Sequence, residues 1–118
     1  MKYQWINFEG YRLRAPKGFL NSQAAKDGKC GPGNGLKEAL VPEKILGISI
    51  TPGCKIHDFS YSIYETEEEK TQADIELFAN GMRIIKQKSN WLLLTPRAFI
   101  LTTYMLACMY GGESAFED

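Results

Sequence analysis

The sequence lacks an excess of charge of either sign: 14 lysine and arginine residues face 14 aspartate and glutamate residues, for a formal net charge of zero. A nucleic-acid binder normally shows a basic surplus, so that class is excluded as the first reading. Charge-driven steering to an anionic membrane surface is equally unsupported. Cysteine is scarce and odd in number, with Cys30, Cys54 and Cys108 alone. A disulfide-dense secreted mini-protein is therefore not expected, although one bridge plus one free thiol is compatible with the count. Met1 to Gly10 lacks a basic stretch followed by an apolar one, so no secretory signal peptide is visible. Internal repeats and low-complexity tracts are also lacking.

Long hydrophobic runs are nearly missing. The one candidate, Trp91 to Tyr110, is interrupted by Pro96 and Arg97. Thr95 suits a helix N-cap and Pro96 the first helical position, while Gly111 suits a C-terminal stop. These marks predict a buried core helix over Pro96 to Tyr110, too short for a bilayer of ~30 Å. The 118 residues, with 44% hydrophobic and 24% charged, describe one ordinary globular domain over 1–118.

Aromatic residues alternate loosely near the start: Tyr3 and Trp5, then Tyr11 with Leu13. Glu9-Gly10 between them marks the turn of a small β-hairpin. Residues 21–50 hold Gly28, Gly31, Gly33, Gly35 and Gly47 and read as loop, with a short helical turn near Leu36 to Leu40. Thr51-Pro52 then starts a helix running to about Tyr64. Thr66 and Glu69 form a capping box for a second helix from Glu67 to about Lys88. Its glutamates lie in the first turn and Lys86 and Lys88 in the last, as the helix dipole favours. The acidic run is accordingly read as a solvated helix start and not as a cation site. Gly81, inside this helix, suggests close approach of a neighbour.

Two faces carry the chemistry. Ile50, Cys54, His57, Tyr61 and Tyr64 follow a three-to-four spacing and share one side of the first helix. Asp58, about 100° further round, points elsewhere. On the second helix Asp74 opens an otherwise apolar stripe of Leu77, Phe78, Gly81 and Ile85. A carboxylate there needs a partner. Helices joined by a short link pack antiparallel. The midpoint between His57 and Asp74 falls at Glu65–Thr66, the link itself, so both stand at the same height from the turn. A His57–Asp74 hydrogen bond is predicted, with Tyr61 one turn on within reach of the same carboxylate. By itself such a pair also fits a structural core network.

The remaining signal is Lys29-Cys30-Gly31-Pro32-Gly33-Asn34-Gly35. Glycine-rich runs let backbone carbonyls or amides converge on a small ion. The run has no GK[ST] and is not a phosphate-binding P-loop. A hard cation held by carbonyls and one carboxylate, that of Asp58, suits calcium.

Together, Cys30-Gly31-Pro32-Gly33, then Cys54-Lys55-Ile56-His57-Asp58-Phe59-Ser60-Tyr61, then Asp74, resemble the phospholipase A2 superfamily. They are similar to its calcium loop, its C-x-x-H-D-x-x-Y helix and the aspartate of its antiparallel helix. The Gly-Pro-Gly-Asn wording is similar to the phospholipase domains of parvovirus capsids and of some phage-like reading frames. The matched pieces span roughly residues 29–80. The resemblance implies a mainly α, phospholipase A2-like fold of two antiparallel helices and a glycine-rich calcium loop, to which the residue patterns above add a C-terminal helix and a small N-terminal β-hairpin. It implies Ca2+ held by the carbonyls of Lys29, Gly31 and Gly33 and the carboxylate of Asp58. It implies His57 as general base, Asp74 and Tyr61 as its orienting partners, and the Gly31 amide as an oxyanion donor. The implied reaction is hydrolysis of the sn-2 ester of a phospholipid at a membrane surface, without a transmembrane span. Cys30 and Cys54 occupy positions that the secreted enzymes join by a disulfide. Gly53 and Ala73 stand where cysteine is common in the family, and the N-terminal interfacial helix has no counterpart. A catalytically silent binding or virion module is the alternative reading. A virion-carried or released protein reconciles a weak calcium site with the missing signal peptide.

Overall fold

A computed structural model of the chain describes residues 1–28, 44–45, 47–88 and 91–110. The described part is mainly helical with a small antiparallel hairpin at its N-terminus. The hairpin pairs β1 (Tyr3–Phe8) with β2 (Tyr11–Pro16), in a register that sets Phe8 opposite Tyr11 and Tyr3 opposite Pro16. Its two-residue turn is Glu9-Gly10, both at positive φ, 51° and 88°. Positive φ at both central positions matches the right-handed twist of the strands, and glycine takes the second position without steric cost.

A 3-10 turn (Phe19–Asn21) and a one-turn helix α1 (Ala24–Asp27) follow. α1 falls in the stretch 21–50 that the sequence marks as loop, and the 3-10 turn at its border. The same stretch holds a second, two-residue hairpin of β3 (Lys44–Ile45) and β4 (Ile48–Ser49), turning at Gly47 with φ 89°. Strands and helices this short carry too few residues for a periodic signal. The helical turn expected near Leu36 to Leu40 lies outside the described residues.

Three long helices make up the rest: α2 (Thr51–Ile63), α3 (Glu67–Lys88) and α4 (Trp91–Tyr110). Thr51, expected as the N-cap of α2, is its first residue; the N-cap is Ile50, which makes no side-chain cap bond, and Ser49 just upstream contacts Thr51. The Ser49 hydroxyl oxygen accepts from the Thr51 N–H at 3.3 Å, and it donates to the Thr51 hydroxyl at 2.9 Å. At α3 the Thr66 hydroxyl accepts from the Glu69 N–H at 3.1 Å. The returning arm reaches one residue further than a capping box does, with Glu69 accepting from the Glu65 N–H at 2.8 Å. The Met1 amine pairs with the same glutamate and, as the main cause, holds its carboxyl below the usual range.

α4 begins at Trp91, five residues before the expected start, with Pro96 inside it. Proline forfeits one hydrogen bond there, to the carbonyl four residues back. The extra turn brings Leu94 against the core, which offsets that loss. Nor is α4 buried all round: Leu101 is 2% exposed, but Phe99 is 72% exposed. Among the described residues no helix is long and apolar enough to cross a membrane.

Two apolar clusters hold these elements. Ile6, Leu13 and Ala15 of the hairpin meet Phe19, Ile48, Ile56 of α2 and Ile84 of α3. Ile50, Cys54, Leu77, Ile85 and Leu101 join α2, α3 and α4. The outer edge of β2 is covered by side-chain amides of α3. The Arg14 N–H donates to Asn80 Oδ1 (3.0 Å) and Asn80 Nδ2 donates to the Arg14 carbonyl (2.7 Å). Gln87 repeats the exchange with Arg12 at 3.0 and 3.1 Å. Buried Glu76 accepts from Arg14 and Arg83, both at 3.1 Å, and ties the same surfaces.

Candidate active site

α2 and α3 run antiparallel, with Gly53 against Asn80 and Gly81 at one end and Tyr61 against Asp74 at the other. Glycine at 53 leaves the helices closely apposed: an added Cβ would sit 3.5 Å from the Asn80 Cβ, in ordinary contact. Gly81 meets α4, where an added Cβ would lie 2.9 Å from Leu101 Cδ2. The close approach expected at Gly81 is that of the last helix.

In this frame His57 Nε2 lies 2.9 Å from Asp74 Oδ1. The Tyr61 hydroxyl donates to the same oxygen at 2.6 Å. The two donors come from successive turns of α2, and the acceptor from the facing position of α3, as the helical heights require. Tyr61 also packs on the imidazole, with ring centroids 4.2 Å apart and planes tilted by 39°. Tyr64 continues the row, edge to face with Tyr61 at 5.7 Å. The His57 side chain is 12% exposed and that of Asp74 31%, so the pair is sheltered but reachable from solvent.

The hydrogen bond fixes the tautomer. A carboxylate only accepts, so Nε2 carries the proton and Nδ1 presents a lone pair. A histidine so held can take a proton at Nδ1, with Asp74 stabilising the imidazolium that results. Ser60 is not part of this arrangement. It is 1% exposed, and its hydroxyl donates to the Ile56 carbonyl at 3.0 Å.

Asp58 turns away from the dyad, toward α1. Its Oδ2 is 3.2 Å from where a Cβ on Gly28 would stand. Gly28 directly precedes the glycine-rich run, so the carboxylate lies beside the chain that enters it. Lys55, one turn earlier, gives its ammonium to Glu9 of the hairpin turn at 3.0 Å. Lys29, Gly31 and Gly33, expected as carbonyl ligands, lie outside the described residues, as does the Gly31 amide. Among the described residues, no cluster of three or more histidine, cysteine, aspartate or glutamate side chains forms a metal site. Cys54 is disulfide-bonded, while Cys30, its implied partner, lies outside the described residues.

Sequence reasoning missed the close packing of Gly28 on α2, because that approach depends on how α1 docks. The ring row from His57 through Tyr61 to Tyr64, by contrast, lies on the shared helical face that the sequence assigned to these residues. Comparison with protein-family models, with curated proteins and with solved structures finds no match for the chain.

Proposed function

We propose that this chain is a phospholipase A2-like enzyme that hydrolyses the sn-2 ester of glycerophospholipids with calcium as cofactor. One observation carries the reading: His57 is held through Nε2 by Asp74, with Tyr61 on the same oxygen, leaving Nδ1 as a base. The motif order of the sequence and the position of Asp58 beside Gly28 support it.

Nδ1 of His57 removes a proton from a water molecule, and the oxygen of that water attacks the sn-2 carbonyl carbon. Asp74 holds the ring in place and stabilises its positive charge. The Tyr61 hydroxyl keeps the carboxylate oriented. The imidazolium then returns the proton to the departing glycerol oxygen, which yields a lysophospholipid and a fatty acid. No covalent enzyme intermediate is needed. Asp58 and the carbonyls of Lys29, Gly31 and Gly33 would hold calcium, which when bound polarises the ester carbonyl and offsets the oxyanion charge.

The test joins binding to turnover. A single-carboxylate site belongs to the ~10⁻⁴–10⁻³ M class, so ~10 mM calcium adds about 1.4 kcal/mol or more to stability. His57→Ala is expected to abolish fatty-acid release from phospholipid vesicles and keep that stabilisation. Asp58→Asn is expected to lose both. Full turnover in a calcium chelator rejects the metal role. A folded protein that hydrolyses no phospholipid class points instead to the silent binding module.

A further inference from the structure

We infer that the open edge of β1 pairs antiparallel with β1 of a second copy of this chain, giving a closed two-fold dimer with a four-stranded sheet. In an antiparallel ladder, opposite residues alternate between exchanging both backbone bonds and pointing both outward. Arg12 and Arg14 spend their backbone groups outward, on Gln87 and Asn80 of α3. Their partners in the register are Asn7 and Trp5, which therefore point theirs out of the opposite edge, as does Tyr3 by the same alternation. Among the described residues nothing receives those groups. One edge of the hairpin is thus covered by α3 and the other is open. Open edges in natural sheets carry a charge, a proline or a bulge that blocks pairing. β1 holds neither a charged residue nor a proline, and its register runs without a bulge.

Charge and register select a second copy as the occupant. The strand is bracketed by opposite charges, exposed Lys2 before it and exposed Glu9 after it. An antiparallel copy brings each lysine alongside the other copy's Glu9, which it shares with Lys55. Pairing centred on Trp5 uses all the outward groups at once: Trp5 faces Trp5 of the second copy, and Tyr3 faces Asn7. Trp5 is 50% exposed and gains an aromatic neighbour across the new pair. The formal net charge of zero means that two copies do not repel as a whole. Assembly stops at two, because α3 covers the far edge of each hairpin. The dyad stays reachable. Arg83, over the Trp5 ring at 4.7 Å, lies nine positions beyond Asp74, about 180° round α3.

The experiment follows the full chain by sedimentation velocity and amide hydrogen exchange across a concentration series. Two strands of six residues make a small interface, below the ~1,200 Å² of stable complexes, so the dimer is expected to form between ~10 µM and ~1 mM chain. Exchange at the Tyr3, Trp5 and Asn7 amides should slow in step with it. Trp5→Lys and Trp5→Glu each set like charges against one another at the two-fold axis and should weaken the dimer about 10-fold or more. An equal mixture of the two sets opposite charges there and should restore it. Asn7→Pro removes one outward N–H, leaves the β1–β2 ladder intact and should weaken the dimer as well. Circular dichroism confirms that each variant is folded. A monomer at the top of the series overturns the inference, as does a dimer that the folded variants retain. A mixture that stays monomeric overturns it too. Slow exchange of the three amides in dilute monomer also overturns it, by showing that the edge is covered within one chain.

Discussion

Replacing Asp74 by asparagine isolates the charge of the dyad from its geometry. Asp74 Oδ1 accepts from His57 Nε2 at 2.9 Å and from Tyr61 at 2.6 Å. An asparagine carbonyl can accept from both, and the 31% exposure of the side chain leaves its NH₂ facing water. The tautomer of His57 is therefore kept. What is lost is the difference between a charge-assisted and a neutral hydrogen bond to the imidazolium. Those contribute ~1.5–3 and ~0.5–1.5 kcal/mol, so the loss is about 1–2 kcal/mol, or roughly 5- to 30-fold in kcat. Asp74→Ala removes orientation as well and should approach the ~10²–10⁴ that a general base contributes. Tyr61→Phe keeps the His57–Asp74 bond and should cost less than either. Initial rates on phospholipid vesicles at saturating calcium, with circular dichroism to confirm folding, read all three. Wild-type kcat in folded Asp74→Asn would refute a base that depends on this carboxylate.

Further expectations concern the scaffold. Gly53→Ala should raise the melting temperature by about 3–5 °C, because its Cβ finds ordinary contacts at 3.5 to 3.8 Å and the helix gains ~0.5–1 kcal/mol. Gly81→Ala should lower it, since a Cβ 2.9 Å from buried Leu101 brings overpacking of ~1–3 kcal/mol against a helical gain of ~1 kcal/mol. Glu76→Gln should cost about 1–3 kcal/mol in urea unfolding. That is less than a fully buried pair, because the Arg14 and Arg83 side chains are 38% and 25% exposed and are partly screened. Burial pushes the Tyr3 hydroxyl above its usual 10.0, against a smaller opposing effect of its bond to Ser60. The folded state thus holds that proton more tightly than the unfolded chain. The Tyr3 contribution should be level below pH ~10 and fall as pH rises beyond it, and Tyr3→Phe should flatten that limb of a pH series of urea midpoints.

The long helices and the dyad were legible because they depend on local periodicity plus one short link. His57 and Asp74 sit on apolar faces that a tight helical turn must bring together, so heights counted from the turn place them in contact. The Glu9-Gly10 turn was legible from residue type. Other features depend on distant parts of the chain. Nothing in Arg12 and Arg14 announces that Gln87 and Asn80 will pair with their backbone groups. The start of α4 was misplaced because Thr95-Pro96 is a strong local signal, overridden when Leu94 found the core. Thr51 fell one residue inside α2, leaving Ile50 at the cap position without a side-chain cap bond. The tight packing of Gly28 gave no local sign, since its backbone conformation is open to any residue and only the docking of α1 on α2 crowds a side chain there.

The most direct measurement follows a phospholipid labelled separately on its two acyl chains, presented in vesicles with calcium or with chelator. The account predicts that the unaltered chain releases the sn-2 label alone, only with calcium, and that His57→Ala releases neither. Equal release of both labels, or release by folded His57→Ala, would contradict it.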